Sequence, residues 1–460
     1  MSMITSRNNG LVVAGLWLAA SVAVAAPAAQ TPVAAVPVTA PATTPMPEPA
    51  PGPAAMGPVH LGPASCASSV CHGRADANTG ARVMQNEYRL WSREDAHARA
   101  YNSLLGRRSQ AIAARLGLAS AADAKVCLDC HADNVEPALR GEKFQLSDGV
   151  GCEACHGGAG DWIKSHAERG VAHADNLARG LVANENPEVR ARLCLDCHLG
   201  NAEKFAGHDM MAAGHPRLGF ELTAFTANQP AHYRVDDDYL QRKGPVSVAA
   251  IWAQGILAAV RAQVQLLQSP RLHGGGWFPE LALFDCHACH HPMSERRFTE
   301  LPMLRGLAPG AVRLNDGNLQ MLVALAETLS PERGQRLLQA GNALHLGSQR
   351  GPAELHRQAA ALATQLEALQ SEVRVRPLAR ADLAKLRLTL LGRAEQGRFR
   401  DFAAAEQAFL AVETVSIELG DQDALRSRLD RWFKSVEDEN HFNAARFAEL
   451  AGHLLARLRR

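Results

Sequence analysis

Cys152-Glu153-Ala154-Cys155-His156 places two cysteines three residues apart, with a histidine directly after the second. On a helical turn, residues i, i+3 and i+4 share a face. Two thiols on such a face can add to the two vinyl groups along one edge of a haem. The histidine then reaches the iron from one side. Cys-x-x-Cys-His is the attachment signature of c-type haem. The pattern recurs in both directions along the chain: Cys127-Leu-Asp-Cys130-His131 before it, Cys194-Leu-Asp-Cys197-His198 and Cys286-His-Ala-Cys289-His290 after it. A fifth copy, Cys66-Ala-Ser-Ser-Val-Cys71-His72, carries two extra residues between its cysteines, which must bulge out.

Structural zinc also uses cysteine pairs, but it takes two pairs per metal and needs no histidine after each second cysteine. A redox-active disulfide leaves the histidine equally unexplained. The ten cysteines of the chain are all used in the five motifs, so none is left for disulfides. The sequence therefore predicts five covalently bound haem c groups, each with its iron. Cys66, Cys71, Cys127, Cys130, Cys152, Cys155, Cys194, Cys197, Cys286 and Cys289 are the attachment points. His72, His131, His156, His198 and His290 are the proximal ligands. About 45 residues per haem cannot isolate five macrocycles, so they must pack together and form much of the core.

Fourteen further histidines remain. Bis-histidine ligation closes an iron meant for electron transfer, whereas an open sixth position is a place for chemistry. His97, His166, His215 and His232 are the chosen distal ligands, with His208 and His291 as further candidates. His287, between two cysteines, reads as solvated. His60, His173 and His273 read as background. His345, His356, His441 and His453 lie past the last motif and read as helix-surface residues.

The overall composition is that of a globular chain. Hydrophobic residues make up 47% of 460 residues, which is ample for a core. The net charge of +1 gives no support to nucleic-acid binding or to a polybasic membrane patch. The N-terminus is different. A polar segment with one positive charge, Arg7, precedes the apolar run Leu11–Ala26 and an Ala23-Val24-Ala25 site, which together read as an export signal over 1–25. An uncleaved membrane anchor is the competing reading. Residues 26–64 follow as a Pro/Ala-rich linker: eleven of the 24 prolines lie between Pro27 and Pro63. Both readings of the N-terminus place the rest of the protein outside the cytoplasm, in the periplasm, either free or tethered to the inner membrane.

The cytochrome region resembles the multihaem cytochrome c-554 family, electron carriers of hydroxylamine oxidation. The resemblance covers about Ala64 to Tyr233. It rests on His97-Ala98-Arg99-Ala100 after the first motif and on Gly149-Val150-Gly151-Cys152-Glu153-Ala154-Cys155-His156-Gly157. It rests also on His166 ten residues past His156 and on the order of the first four motifs. It implies that His166 caps the haem of Cys66/Cys71, His97 that of Cys194/Cys197, and His232 or His215 that of Cys152/Cys155. It implies that the haem of Cys127/Cys130 is five-coordinate. This chain departs from the family in its first motif, in its fifth haem, for which the resemblance supplies no ligand, and in a long C-terminal region.

Val246 to Leu267 reads as one amphipathic helix, with Ile251, Trp252, Ile256, Val260, Val264 and Leu267 at helical spacing. Beyond Pro292 helix signals repeat. Leu319, Leu322, Val323 and Ala326 share a face, and Ser330-Pro331 is a cap followed by proline at the first helical position. Leu355, Ala359, Leu362, Leu366 and Leu369 form a stripe, as do Leu425, Leu429, Trp432 and Val436. The expected fold is mainly α: a multihaem cytochrome c domain with little regular sheet over 65–300, then an all-helical bundle domain of six or seven antiparallel helices over 301–460.

The function these features predict is an exported electron carrier in periplasmic respiratory nitrogen or sulfur metabolism, exchanging electrons with redox partner proteins. Two alternatives stand beside it. One is a haem oxidoreductase acting on a small nitrogen or sulfur compound, such as hydroxylamine, NO or nitrite, at a five-coordinate haem, that of His131. The other is a docking scaffold whose C-terminal helices hold a partner. The Cys-x-x-Cys-Lys motif of pentahaem nitrite reductases is absent.

Overall fold

Alternation of leucine and alanine at three- and four-residue spacing dominates the C-terminal third, and the structure is helical accordingly. A computed structural model describes residues 58–273, 279–291, 301–375 and 378–460, with side chains left out at 374 and 375. The export signal and most of the linker lie outside the described residues. Among those described there are eighteen α-helices and no strand, with only two isolated β-bridges, His60 to Arg140 and Phe284 to Leu314. The protein is mainly α.

The C-terminal region holds seven helices, Gly317–Leu329, Pro331–Ser348, Pro352–Val375, Arg380–Glu395, Phe402–Leu419, Gln422–Phe433 and Ala444–Leu458. Ser330 caps the second of these, its hydroxyl accepting from the amide of Arg333. The stripe Leu355, Ala359, Leu362, Leu366 and Leu369 is completely buried. Each such leucine contributes about 2 kcal/mol of apolar burial.

One apolar cluster joins this region to the long helix Val248–Gln268. Trp252, Ile256 and Leu267 sit in it together with Leu322, Leu362 and Trp432. The helix is apolar nearly all round, the pattern of a helix enclosed on several sides. Its other side, at Ala258 and Ala259, meets Ala191 and Leu195 of the helix Pro187–His198, which carries the fourth motif. Gly255 makes a further close approach: a Cβ there would lie 2.7 Å from Cβ of Leu222. The long helix is thus the element between the motif region and the C-terminal helices. No single helix among the described residues is long and apolar enough to cross a membrane.

The region before it has short helices and many turns. Three motifs lie on α-helix, at Lys125–His131, Cys152–His156 and Pro187–His198. The fifth forms a 3-10 turn, Cys286–Ala288. The first, with its two extra residues, is a turn closed by the amides of Cys71 and Gly73 donating to the carbonyl of Ser68 and that of His72 to Cys66.

Candidate haem sites

Each proximal histidine faces one other histidine. Ring centroids are 6.3 Å apart for His72 and His166, 6.2 Å for His97 and His198, and 6.4 Å for His131 and His215. They are 6.3 Å apart for His156 and His232, and 6.2 Å for His208 and His290. Metal–imidazole bonds of about 2 Å, with about 1 Å more from nitrogen to ring centre, put two imidazoles on opposite sides of one ion roughly 6 Å apart. Among the described residues no group of three or more His, Cys, Asp or Glu is arranged to hold a bare metal ion. Two facing imidazoles leave the positions between them to other donors, which is what the four nitrogens of a porphyrin supply.

The rings are aimed from behind. In six of the ten, Nδ1 is hydrogen-bonded to an oxygen, which leaves Nε2 toward the facing ring. His72 Nδ1 lies 3.0 Å from Glu87 Oε2, and His97 Nδ1 lies 2.9 Å from Asp95 Oδ1. His131 bonds the carbonyl of Ala100 at 3.2 Å, His166 that of Ile163 at 2.6 Å, His215 that of Pro216 at 2.8 Å and His232 that of Pro230 at 3.3 Å. Such partners fix the tautomer and raise the basicity of the other nitrogen. Burial lowers the pKa of His156 to about 4, with a smaller push from His232. It does the same to His198, also to about 4, with His97 adding. Both rings are neutral near pH 7, the form that can donate a lone pair.

Local sequence explains the placements. Asp95 caps the turn Ala96–Arg99 and holds the His97 ring, and it is itself held by Gln229 at 3.1 Å. Gly149 has φ +74°, and a Cβ there would meet the His97 carbonyl at 2.6 Å. That carbonyl accepts from the amide of Val150. The glycine-flanked third motif therefore locks the loop bearing the fourth motif's partner. Glu153, inside the third motif, is buried, and its carboxylate accepts from the amides of Leu61, Gly62 and Ala159 at 2.6–2.8 Å.

The cysteines also meet. The thiols of Cys66 and Cys152 lie close enough to shift each other's ionisation, and so do those of Cys130 and Cys197. The Cys197 thiol pushes the pKa of Cys130 up, and the Cys130 thiol lowers that of Cys197 to about 6, with Lys204 adding from 3.4 Å. Motifs one and three, and motifs two and four, therefore touch. Arg190, one turn before Cys194, has a buried Nε with no protein partner, an environment that suits a carboxylate of a bound porphyrin. Together these features fit haem.

Several histidines lie where the sequence did not place them. His215, one of two expected to face His156, faces His131 instead, the proximal histidine that the resemblance left unpaired. His208 faces His290. His291 belongs to none of the five pairs. His287 is not solvated: its side chain is 14% exposed and its ring lies 6.4 Å from that of Phe442. His345 is not on a helix surface but fully buried, bonded to Asp316 Oδ2 at 3.0 Å. His60 bonds Asp133 and His173 bonds Glu185. Glu87 and Asp95 were not singled out from sequence, although the two-residue spacing of Asp95 and His97 is the one local signal for that pair.

Residues 65–157 match the family described as cytochrome c554 and c-prime. The matched stretch holds the first three motifs and ends directly after His156. No curated protein and no solved structure matches the chain. The match supports a multihaem cytochrome of the c type, with haem held covalently and a role in electron transfer.

Proposed function

We propose that this protein is an exported, periplasmic electron carrier with five covalently bound haem c groups, working between redox partner proteins in respiratory nitrogen or sulfur metabolism. The observation that carries the reading is the set of facing pairs within the first four motifs: His72/His166, His131/His215, His156/His232 and His97/His198, all at 6.2–6.4 Å. Bound haem supplies iron that gains and loses one electron. The chain's own part is to hold two imidazoles per iron, to fix them through Nδ1, and to exclude other ligands. The contacts Cys66–Cys152 and Cys130–Cys197 support motifs placed edge to edge, as charge movement between sites requires. The segment over 1–25 supports export, and N-terminal sequencing of the mature protein distinguishes a cleaved signal from an anchor.

The oxidoreductase alternative needs an open iron at His131, and the position of His215 speaks against it. A haem count per chain combined with electron paramagnetic resonance tests the reading. Five haems, all low-spin, and no binding of cyanide or NO are expected. A stoichiometric high-spin haem that binds either ligand would favour the enzyme instead.

A further inference from the structure

We infer that His208 and His290 are the two axial ligands of the haem attached at Cys286 and Cys289, and that His208 is delivered by a strap it shares with His215. This rests on the haem reading above, but on residues outside the stretch that matches the family. The two rings face each other at 6.2 Å, the separation found in the four other pairs, with planes 29° apart.

His208 opens the short helix His208–Ala212, and His215 follows three residues past its end. One strap therefore presents imidazoles to two different motifs, the fifth and the second. It is pinned along its length. The amide of His208 donates to Glu280 Oε1 at 2.7 Å, on the approach to the fifth motif. Arg115 and Arg108, from the neighbourhood of the second motif, donate to the carbonyls of Ala213 and Gly214 at 2.7 and 2.8 Å. Arg217, just beyond His215, pairs with Glu439 at 3.0 Å and Glu406 at 3.7 Å in the C-terminal region.

The facing side is clamped from the same region. Asp285 caps the turn of the fifth motif through the amide of His287 and is held by Arg313, which also pairs with Asp401 at the start of the helix Phe402–Leu419. The C-terminal helices thus act on the fifth site by positioning, reaching its motif through Arg313 and its strap through Arg217.

The test uses the full-length holoprotein with His208→Ala and His208→Met. His208→Ala should keep five haems per chain while one haem in five turns from low to high spin, and added imidazole should restore the low-spin signal. His208→Met, which keeps a sixth ligand, should leave all five low-spin and raise one of the five midpoint potentials, as axial methionine does. His208→Ala with five haems, all low-spin, would overturn the assignment and leave the haem reading standing. If the alanine variant does not fold, five unmoved potentials in the methionine variant would overturn it equally. A wild-type protein with fewer than five haems would count against the broader reading rather than against His208.

Discussion

His131 and His215 stand 6.4 Å apart between ring centroids, their planes 86° from parallel, each ring anchored through Nδ1 by a backbone carbonyl. The second motif is therefore arranged as a closed pair. His215→Ala should open it. The variant should gain one high-spin haem and bind about one equivalent of cyanide, where the wild-type protein binds none. Absorption difference spectra would measure both, and cyanide binding to the wild-type protein would contradict the closed arrangement.

Asp95 sits behind His97 with its carboxylate 2.9 Å from Nδ1. Burial tends to raise the Asp95 pKa, but the hydrogen bonds from His97 and Gln229 outweigh it and hold the value at about 2. The group is an anion, and it makes the His97 ring a stronger donor. Asp95→Asn should raise the potential of one haem and weaken retention of that ligand by roughly tenfold. Spectroelectrochemical titration against the wild-type protein shows whether a single potential moves upward.

Glu153 satisfies three backbone amides from two separate loops. Its loss leaves three buried donors without a partner. Glu153→Ala should cost about 3 kcal/mol or more, while Glu153→Gln, which keeps acceptor oxygen, should cost less. Denaturant titration of the two variants, followed in the haem absorption band, would reveal the order.

Asp401 gives a pH dependence whose sign follows from its surroundings. Burial lifts its pKa to about 6; the Arg313 guanidinium opposes this, and Asp285 and Asp316 add to it. The folded protein then binds a proton between about pH 4 and pH 6 that the unfolded chain has released. Stability contributed by this group is complete below about pH 4 and is lost as pH rises through 6. Asp401→Asn cannot titrate, yet its side chain can still accept from the Ala404 amide as Asp401 does at 2.7 Å. Melting temperatures of wild type and variant should converge at pH 4 and separate toward pH 7, and parallel curves would refute the assignment.

The motifs were legible because covalent attachment of one haem edge requires cysteines close in sequence. Their distal partners were less so, because an iron takes its second ligand from wherever the chain returns. His97, His166 and His232 carried signals through the resemblance. His215 carried one too, but toward His156 rather than His131, and His208 carried none, since a short strap followed by Pro216 gives no indication of which of its ends meets which motif. His345 was misplaced because its partner, Asp316, is 29 residues away, and periodicity alone does not reveal a buried polar pair. The C-terminal helices were plain in sequence: stripes such as Leu355 to Leu369 have one period and one way to be covered. The double role of Val248–Gln268 was harder to read, because a helix apolar nearly all round does not show which neighbour takes which face.

The strap between Gly207 and Arg217 is a single mounting for two imidazoles. Shortening or lengthening it by one residue would turn the two rings relative to each other, so that at most one could keep its aim. Two sites far apart along the chain, one ending at His131 and the other at His290, therefore share one mechanical tolerance. Insertions and deletions are barred from this stretch by steric register, whatever the polarity of its side chains.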